Sequence, residues 1–365
     1  MSLFGPGYGE SAVIHLGGGR WMVVDSCVDT ATSRSAPLQY LHDLGVDTER
    51  RVVLVVASHW HDDHVRGLAE LVTACSSAKF GLSEALHSEG FLQLAKGYGA
   101  RSRSSSSGVS EFAGVLKALE RRGKRRDLGK HVLFASSGKV LLRQPEKART
   151  PGMEVHCLSP TDGAVLDAFA HWARLMPSAG QPIDRLPSER PNHVAVALWL
   201  RVGRRILLLG ADLEERNTAN GWTAVLASTN LPAGRAAVLK VPHHGSGNAD
   251  HPGLWRDLLE ERRHALVTPF LRGSVVLPGA DDIARLLSRA PSSYITAPPA
   301  RSASATPIPS WPTLSRAPPG DSSGYRPPAR FGSGHQQARR ISPTGAWSAS
   351  AEQALSANTC SQPRR

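Results

Sequence analysis

Apolar residues follow two rhythms along this chain. Short runs rich in valine, isoleucine and leucine alternate with stretches where apolar positions recur every three or four residues. The first two short runs, Gly9–Leu16 and Arg20–Asp25, are joined by Gly17-Gly18-Gly19 and predict a hairpin. A helix over 35–46 comes next, then a strand over Arg51–Ser58 that delivers six residues, His59-Trp60-His61-Asp62-Asp63-His64. Helical spacing resumes over Val65–Val72 and is predicted again over 83–97, 110–122, 162–176, 213–228 and 282–287. Strands are predicted near 131–135 and 138–143, over 154–161, 192–200, 205–209 and 237–241, at an entry near His264, and over 294–296. The second half thus repeats the first: a hairpin, a further strand, and a polar turn at its end.

The six residues stand on a tight strand-to-helix turn, where a buried sheet delivers polar side chains to a surface. Two histidines one residue apart point the same way off an extended segment, and Asp63-His64 at the helix start faces a second nearby point. Imidazoles and carboxylate in this arrangement suit zinc and its neighbours, and the pattern reads as a two-metal site. The plainer reading is a histidine-rich surface turn. Four ligand-type side chains in register weigh against it. Asp212 closes the buried strand Arg205–Leu209, where a lone carboxylate is costly unless it meets a cation, so it is the next candidate ligand.

Charge and composition narrow the picture. The net charge of +12 over 365 residues invites a nucleic-acid partner, but it is unevenly placed. Residues 117–149 hold eleven Lys or Arg against three acids, and 301–365 hold eight Arg against two. The remainder is slightly acidic, so the basicity is peripheral to the catalytic body, where it could still steer a polyanion. The run Arg121–Arg126 reads as a solvated face before a binding surface. Cys27, Cys75, Cys157 and Cys360 form no CxxC pair, which suits buried thiols and a cytoplasmic location. No leader pattern opens the chain and no apolar run approaches membrane-spanning length. Residues 300–365 are Pro-, Ser- and Arg-rich without periodicity, and are expected to be a disordered tail.

The series His59-x-His61-x-Asp63-His64 after an apolar strand resembles the metallo-β-lactamase superfamily. Within it, Gly9-Glu10-Ser11, Ser159-Pro160 and Pro242-His243-His244-Gly245-Ser246 are most similar to the soluble hydrolase domain of bacterial competence DNA-uptake channels. The resemblance covers roughly residues 5–300 and implies a four-layer αβ/βα sandwich of two facing mixed sheets, with a hydrolase domain over 1–299 and a basic insertion at about 100–150. It implies metal ligation by His59, His61, Asp63, His64 and Asp212, with Asp212 bridging two divalent ions, Zn2+ first and Mn2+ second. Asp25 would hold the ligand turn by hydrogen bonds. His243 or His244 would reach the second metal or the scissile group, and the sequence does not separate them. His193 stands near where many members supply a third histidine to the first metal, and reads either as a ligand or as a strand-end residue. Val276-Leu277-Pro278 replaces a Gly-His-Pro of related domains, so that His243 or His244 takes over or the second metal binds weakly. Lys240 reads as an exposed strand-edge lysine before it reads as a contact for an anionic substrate.

The implied activity is metal-dependent hydrolysis, in which a hydroxide bridging the metals and oriented by Asp63 attacks a phosphodiester, of a small molecule or of nucleic acid. Hydrolysis of a lactone, thioester or β-lactam is the second reading. A non-catalytic module that binds nucleic acid or a partner is the third. Oligomeric state is not fixed by the sequence.

Overall fold

The computed structural model describes residues 1–5, 9–87, 108–122, 131–148, 150–175, 191–297, 339–341 and 347–348. Two mixed sheets face each other. The first has the spatial order β1 (Ser2–Phe4), β2 (Ser11–Gly17), β3 (Arg20–Val24), β4 (Val52–Ala57), β5 (Lys79–Ser83), β6 (Val132–Ala135). Its first three strands are antiparallel, and β3 to β6 pair in parallel. The second runs β7 (Val140–Gln144), β8 (Met153–Cys157), β9 (Leu198–Val202), β10 (Arg205–Leu209), β11 (Ala236–Lys240), β12 (Leu259–Val267) and then, past a separate hairpin of β13 (Phe270–Arg272) and β14 (Val275–Leu277), β15 (Ser292–Ile295). It is antiparallel up to β10 and parallel from β10 to β15.

Strand alternation sorts the side chains into layers. On β2, Ala12, Ile14 and Leu16 join Met22, Leu54 and Val56 against Val155, Leu198, Leu200 and Leu209, which fills the space between the sheets. Val13 points the other way and packs with Leu38, Leu41, Leu68 and Leu71 from helices outside the first sheet. Leu208, Leu239 and Ala265 do the same outside the second, against Trp222, Leu254, Trp255 and Leu286. Each of the valine, leucine, isoleucine and methionine side chains among these contributes about 1.5–3 kcal/mol by leaving water. Helices, sheet, sheet, helices: the four-layer αβ/βα sandwich is the observed architecture. Parallel strands end on one edge, so the turns after β3, β4, β10 and β11 meet there.

Several elements depart from the periodicity, each for a local reason. The helix expected over 213–228 is reduced to Trp222–Leu226. Asn217 Oδ1 accepts the Ala219 and Asn220 N–H groups in a tight turn, and Gly221 takes φ 83, where a helix cannot propagate. The strand expected from 192 begins at Leu198, because Pro191–Val194 forms a 3-10 turn. Helical spacing after the ligand turn breaks at Gly67, φ 79, into Asp62–Val65 and Leu68–Ala74. β5, β13 and β14 carry too short or too mixed a pattern to announce themselves; β5 forms because parallel neighbours on both sides bury Phe80 and Leu82.

The helix Gly108–Arg122 is part of the basic insertion, yet it is built into the body. Phe112, Val115 and Leu119 enter the same core as Leu68 and Val72. Glu111 accepts the Gly67 and Ala69 N–H groups, and the Arg122 guanidinium donates to the carbonyls of Val72, Cys75 and Ala78. Arg122 therefore closes a helix end instead of forming a solvated face. Residues 88–97 of one expected helix, the Ser/Arg run before 108, the basic residues 123–126 and the Pro-rich stretch 177–190 lie outside the described residues. So does the expected tail, except Arg339–Ile341 and Trp347–Ser348, which add two short antiparallel strands beyond β15.

Candidate metal centre

The turn after β4 sets the geometry. His59 and His61 leave the strand end before Asp62–Val65 coils. Their rings lie 4.9 Å apart, with His59 Nε2 3.1 Å from His61 Nδ1. Coiling brings His64 back against His59, ring centroids 4.2 Å apart. Asp25, at the end of neighbouring β3, clamps this turn. Ser58 donates its N–H and its hydroxyl to the two Asp25 oxygens, at 2.7 Å each, and His64 Nδ1 lies 2.8 Å from Oδ2. Asp25 does so with φ 60, a left-handed conformation that a short polar side chain tolerates better than most.

The second half answers from the facing sheet. Asp212, following β10, places Oδ1 3.3 Å from His64 Nε2 and Oδ2 4.0 Å from His59 Nε2. After β11, His243 and His244 both adopt positive φ, 44 and 52, and their rings part by 6.2 Å. His244 is buried, its Nε2 3.2 Å from Asp63 Oδ2 and 3.5 Å from Asp212 Oδ2. His243 stays at the rim, with Nδ1 3.0 Å from Asn248 Oδ1 and 3.3 Å from Glu214 Oε1, and Nε2 3.3 Å from Asn192 Nδ2.

Two donor groups result, His59–His61–Asp212 and Glu10–His64–Asp212–His244, each with one donor atom per residue within 4.8 Å of the others. Asp212 belongs to both. Asp63 Oδ2 stands beside the second group, 3.6 Å from His64 Nε2. Among the described residues, neither group includes His193, on the Pro191–Val194 turn, or His243. His251 instead caps the helix Pro252–Asp257 by accepting the Gly253 N–H, and His264 lies within β12.

The donor chemistry fits divalent cations. His64 Nε2 and Asp212 Oδ1 are buried and have no hydrogen-bond partner. Their 3.3 Å separation matches neighbouring ligands roughly 2.0–2.1 Å from one tetrahedral ion. Charge runs the same way. Burial works against ionised Asp212, yet His64, His244 and Lys240 hold its pKa well below the ordinary carboxylate value. Burial also opposes a charged His64, but Asp212, Asp63, Glu10 and Asp25 raise its pKa well above that of a free imidazole. His244 is raised in the same way, against burial, chiefly by Asp212 and Asp63. His59 and His61 are lowered by burial, with His64 adding to the effect on both, so they are neutral and ready to ligate.

Lys240 corrects the sequence expectation: it is 2% exposed, in ion contact with Glu10 and 3.7 Å from Asp212 Oδ1. The signal was present, since a lysine on a strand paired in parallel on both sides has no solvent face to reach. Glu10 entered the sequence reading only as part of the Gly9-Glu10-Ser11 motif, with no role of its own, and Thr268 was given no role. Glu10 opens a strand whose next four residues are all buried, which makes its carboxylate as anomalous as that of Asp212.

Residues 4–127 match the family described as the Metallo-beta-lactamase superfamily. With the two facing mixed sheets, this gives the chain the metallo-β-lactamase fold, and it supports that superfamily, whose members are in general metal-dependent hydrolases. Among solved structures, the chain is similar to MEM-A1, a subclass B3 metallo-β-lactamase from a soil metagenome library, at 16% identity over 70% of this chain and 78% of that one, TM-score 0.34. It is similar to the metallo-β-lactamase fold protein YhfI from Bacillus subtilis at 13% identity over 77% and 85%, TM-score 0.37. MIM-1 from Novosphingobium pentaromativorans, a metallo-β-lactamase, aligns at 14% identity over 71% and 82%, TM-score 0.32. No curated protein sequence matches the chain.

Proposed function

We propose that the chain is a metal-dependent phosphodiesterase whose hydrolase unit spans residues 1–299. The observation that carries the hydrolytic reading is Asp212, which belongs to both donor groups: Oδ1 lies 3.3 Å from His64 Nε2, and Oδ2 lies between His244 Nε2 at 3.5 Å and His59 Nε2 at 4.0 Å. His59, His61 and Asp212 would hold one divalent ion, and Asp63, His64, Asp212 and His244 the other, Zn2+ before Mn2+. Such ions lower the pKa of water toward neutrality and offset charge on reacting oxygens. His244 takes the place left by Leu277, its Nδ1 fixed 3.1 Å from the Thr268 carbonyl so that Nε2 faces the carboxylates. Asp63 orients the attacking oxygen. His243 stands at the rim, held by Asn248 and Asn192, where it can contact the leaving group or a non-bridging oxygen.

Phosphodiesters are favoured over carbonyl substrates by the His243-His244-Gly245-Ser246 turn, which is similar to that of the competence-type domains. Nucleic acid is one such substrate class, with the basic insertion as a steering surface. The test is a substrate panel on metal-replete protein. Turnover of bis-para-nitrophenyl phosphate that falls by at least about a thousandfold in Asp212→Asn, with loss of bound metal, is the expected result. Turnover confined to lactones, thioesters or nitrocefin would move the assignment to carbonyl hydrolysis. Nucleic-acid binding that survives alanine at His59 and His61, without turnover of any substrate, would favour a binding module.

A further inference from the structure

Glu10 and Lys240 come from different sheets and meet beneath the candidate metal centre. We infer that they form a buried ion pair that positions Asp212 and His244, and that Glu10 is a positioning residue and not itself a metal ligand. This rests on the metal-site reading above.

The ammonium of Lys240 contacts Glu10 Oε1, donates to the Ala211 carbonyl at 2.9 Å, and lies 3.7 Å from Asp212 Oδ1. Two of its three protons thus go to Glu10 and the Ala211 carbonyl, while Asp212 Oδ1, at 3.7 Å, is reached through charge and not through a hydrogen bond. The Ala211 carbonyl is presented to it by an unusual backbone, φ 46, and also accepts the His243 N–H at 2.9 Å. Lys240 therefore fixes the residue before Asp212 and lies near Oδ1, the Asp212 oxygen that also faces His64. The other oxygen of Glu10 accepts the Thr268 hydroxyl. Thr268 in turn places its carbonyl 3.1 Å and its hydroxyl 3.2 Å from His244 Nδ1. One carboxylate thus steadies two candidate ligands on separate turns, through a lysine on one side and a threonine on the other.

Proximity alone would also let Glu10 ligate, since it falls within the 4.8 Å group. Its bonding separates it from His64 and Asp212; His244 Nε2, by contrast, has its hydrogen-bond partner in Asp63, itself a candidate ligand. Both Glu10 oxygens already have a cation or a hydroxyl as partner, whereas Asp212 Oδ1 and His64 Nε2 have no hydrogen bond to give up. Outer partners of this kind typically govern metal affinity by 10–100-fold without changing the number of ions bound.

The test uses full-length protein stripped by chelator and titrated with Zn2+ and with Mn2+. Metal content, calorimetric affinity and metal-free melting are read for wild type, Glu10→Gln, Lys240→Met and the double variant. Each single variant is expected to keep the wild-type stoichiometry and to bind metal about 10–100-fold more weakly. The double variant should bind no worse than either single one, and its metal-free melting should recover above theirs, because no buried charge is left unmatched. Loss of one bound ion in Glu10→Gln alone, with wild-type affinity in Lys240→Met, would make Glu10 a ligand and overturn the inference. Losses that multiply in the double variant would overturn it as well. If wild type bound neither metal, the centre itself would fail, and the positioning role with it; metal-free melting would still report whether the two charges are coupled.

Discussion

Asp25 shows how much one side chain can organise. Its two oxygens tie Ser58 and His64 into a single turn, and His64 receives its hydrogen bond on Nδ1, leaving Nε2 for the centre. Asp25→Asn keeps the shape but supplies an amide where an acceptor is needed. Metal affinity measured by calorimetry should fall about 10–100-fold while the circular dichroism spectrum is retained. At this scale the sequence was most legible where ligand-type residues crowd a short turn, as at His59–His64. It was least legible where one residue's meaning depends on a distant strand. Glu10 and Lys240 are some 230 positions apart in the chain, so that even where the strand around each hints at burial, their pairing does not show in either stretch alone. His193 is a converse case: its place near an expected ligand position could be read from motif order, but the 3-10 turn that carries it could not.

Among the elements, strand-to-turn units were readable because alternation and β-branching report a half-buried or buried sheet. Helix boundaries were readable over 110–122 and 162–176, which form Gly108–Arg122 and Asp162–Leu175, but not where a single glycine or an Asn-based turn overrides several residues of favourable spacing. Gly67 is such a position. Its φ of 79 suits glycine, and a Cβ there would meet Ser35 and Val28 at 3.2 Å. Gly67→Ala should cost about 1–2 kcal/mol, seen as a lower melting temperature. The helix Gly108–Arg122 makes a related point, since its basic residues suggested a surface and its packing shows a brace. Arg122→Ala leaves the carbonyls of Val72, Cys75 and Ala78 without this donor, so the expected loss is about 1–3 kcal/mol in denaturant unfolding, with metal affinity unchanged.

For the molecule as a whole, the histidines of the centre give metal-free stability a distinctive dependence on pH. His59 and His61 have pKa values lowered by burial, so below about 6.5 the unfolded chain binds protons that the folded one refuses, and stability falls as pH drops. His64 and His244 are raised, in spite of burial, by the carboxylates around them. Their contribution is complete below about 6.5 and is lost as pH rises through the folded values. The metal-free protein should therefore melt highest near pH 6.5 and lower on either side. Bound metal should flatten the alkaline limb, because it replaces the protons that His64 and His244 would otherwise hold. A melting series in chelator and in excess Zn2+ checks both limbs; stability that climbs steadily from pH 6 to 9 without metal would contradict the assignment.

The ligand turns hang from opposite sheets, and the ions they would share join the two halves at one edge of the core that lies between them. A cation there acts as a rivet across a seam. Chelation should then do more than stop turnover: amide exchange should quicken first along β2, β3, β10 and β11, where the halves abut, while the outer helices keep their protection. Exchange that rose uniformly, or only in the loops bearing the histidines, would mean that the seam holds without its rivet.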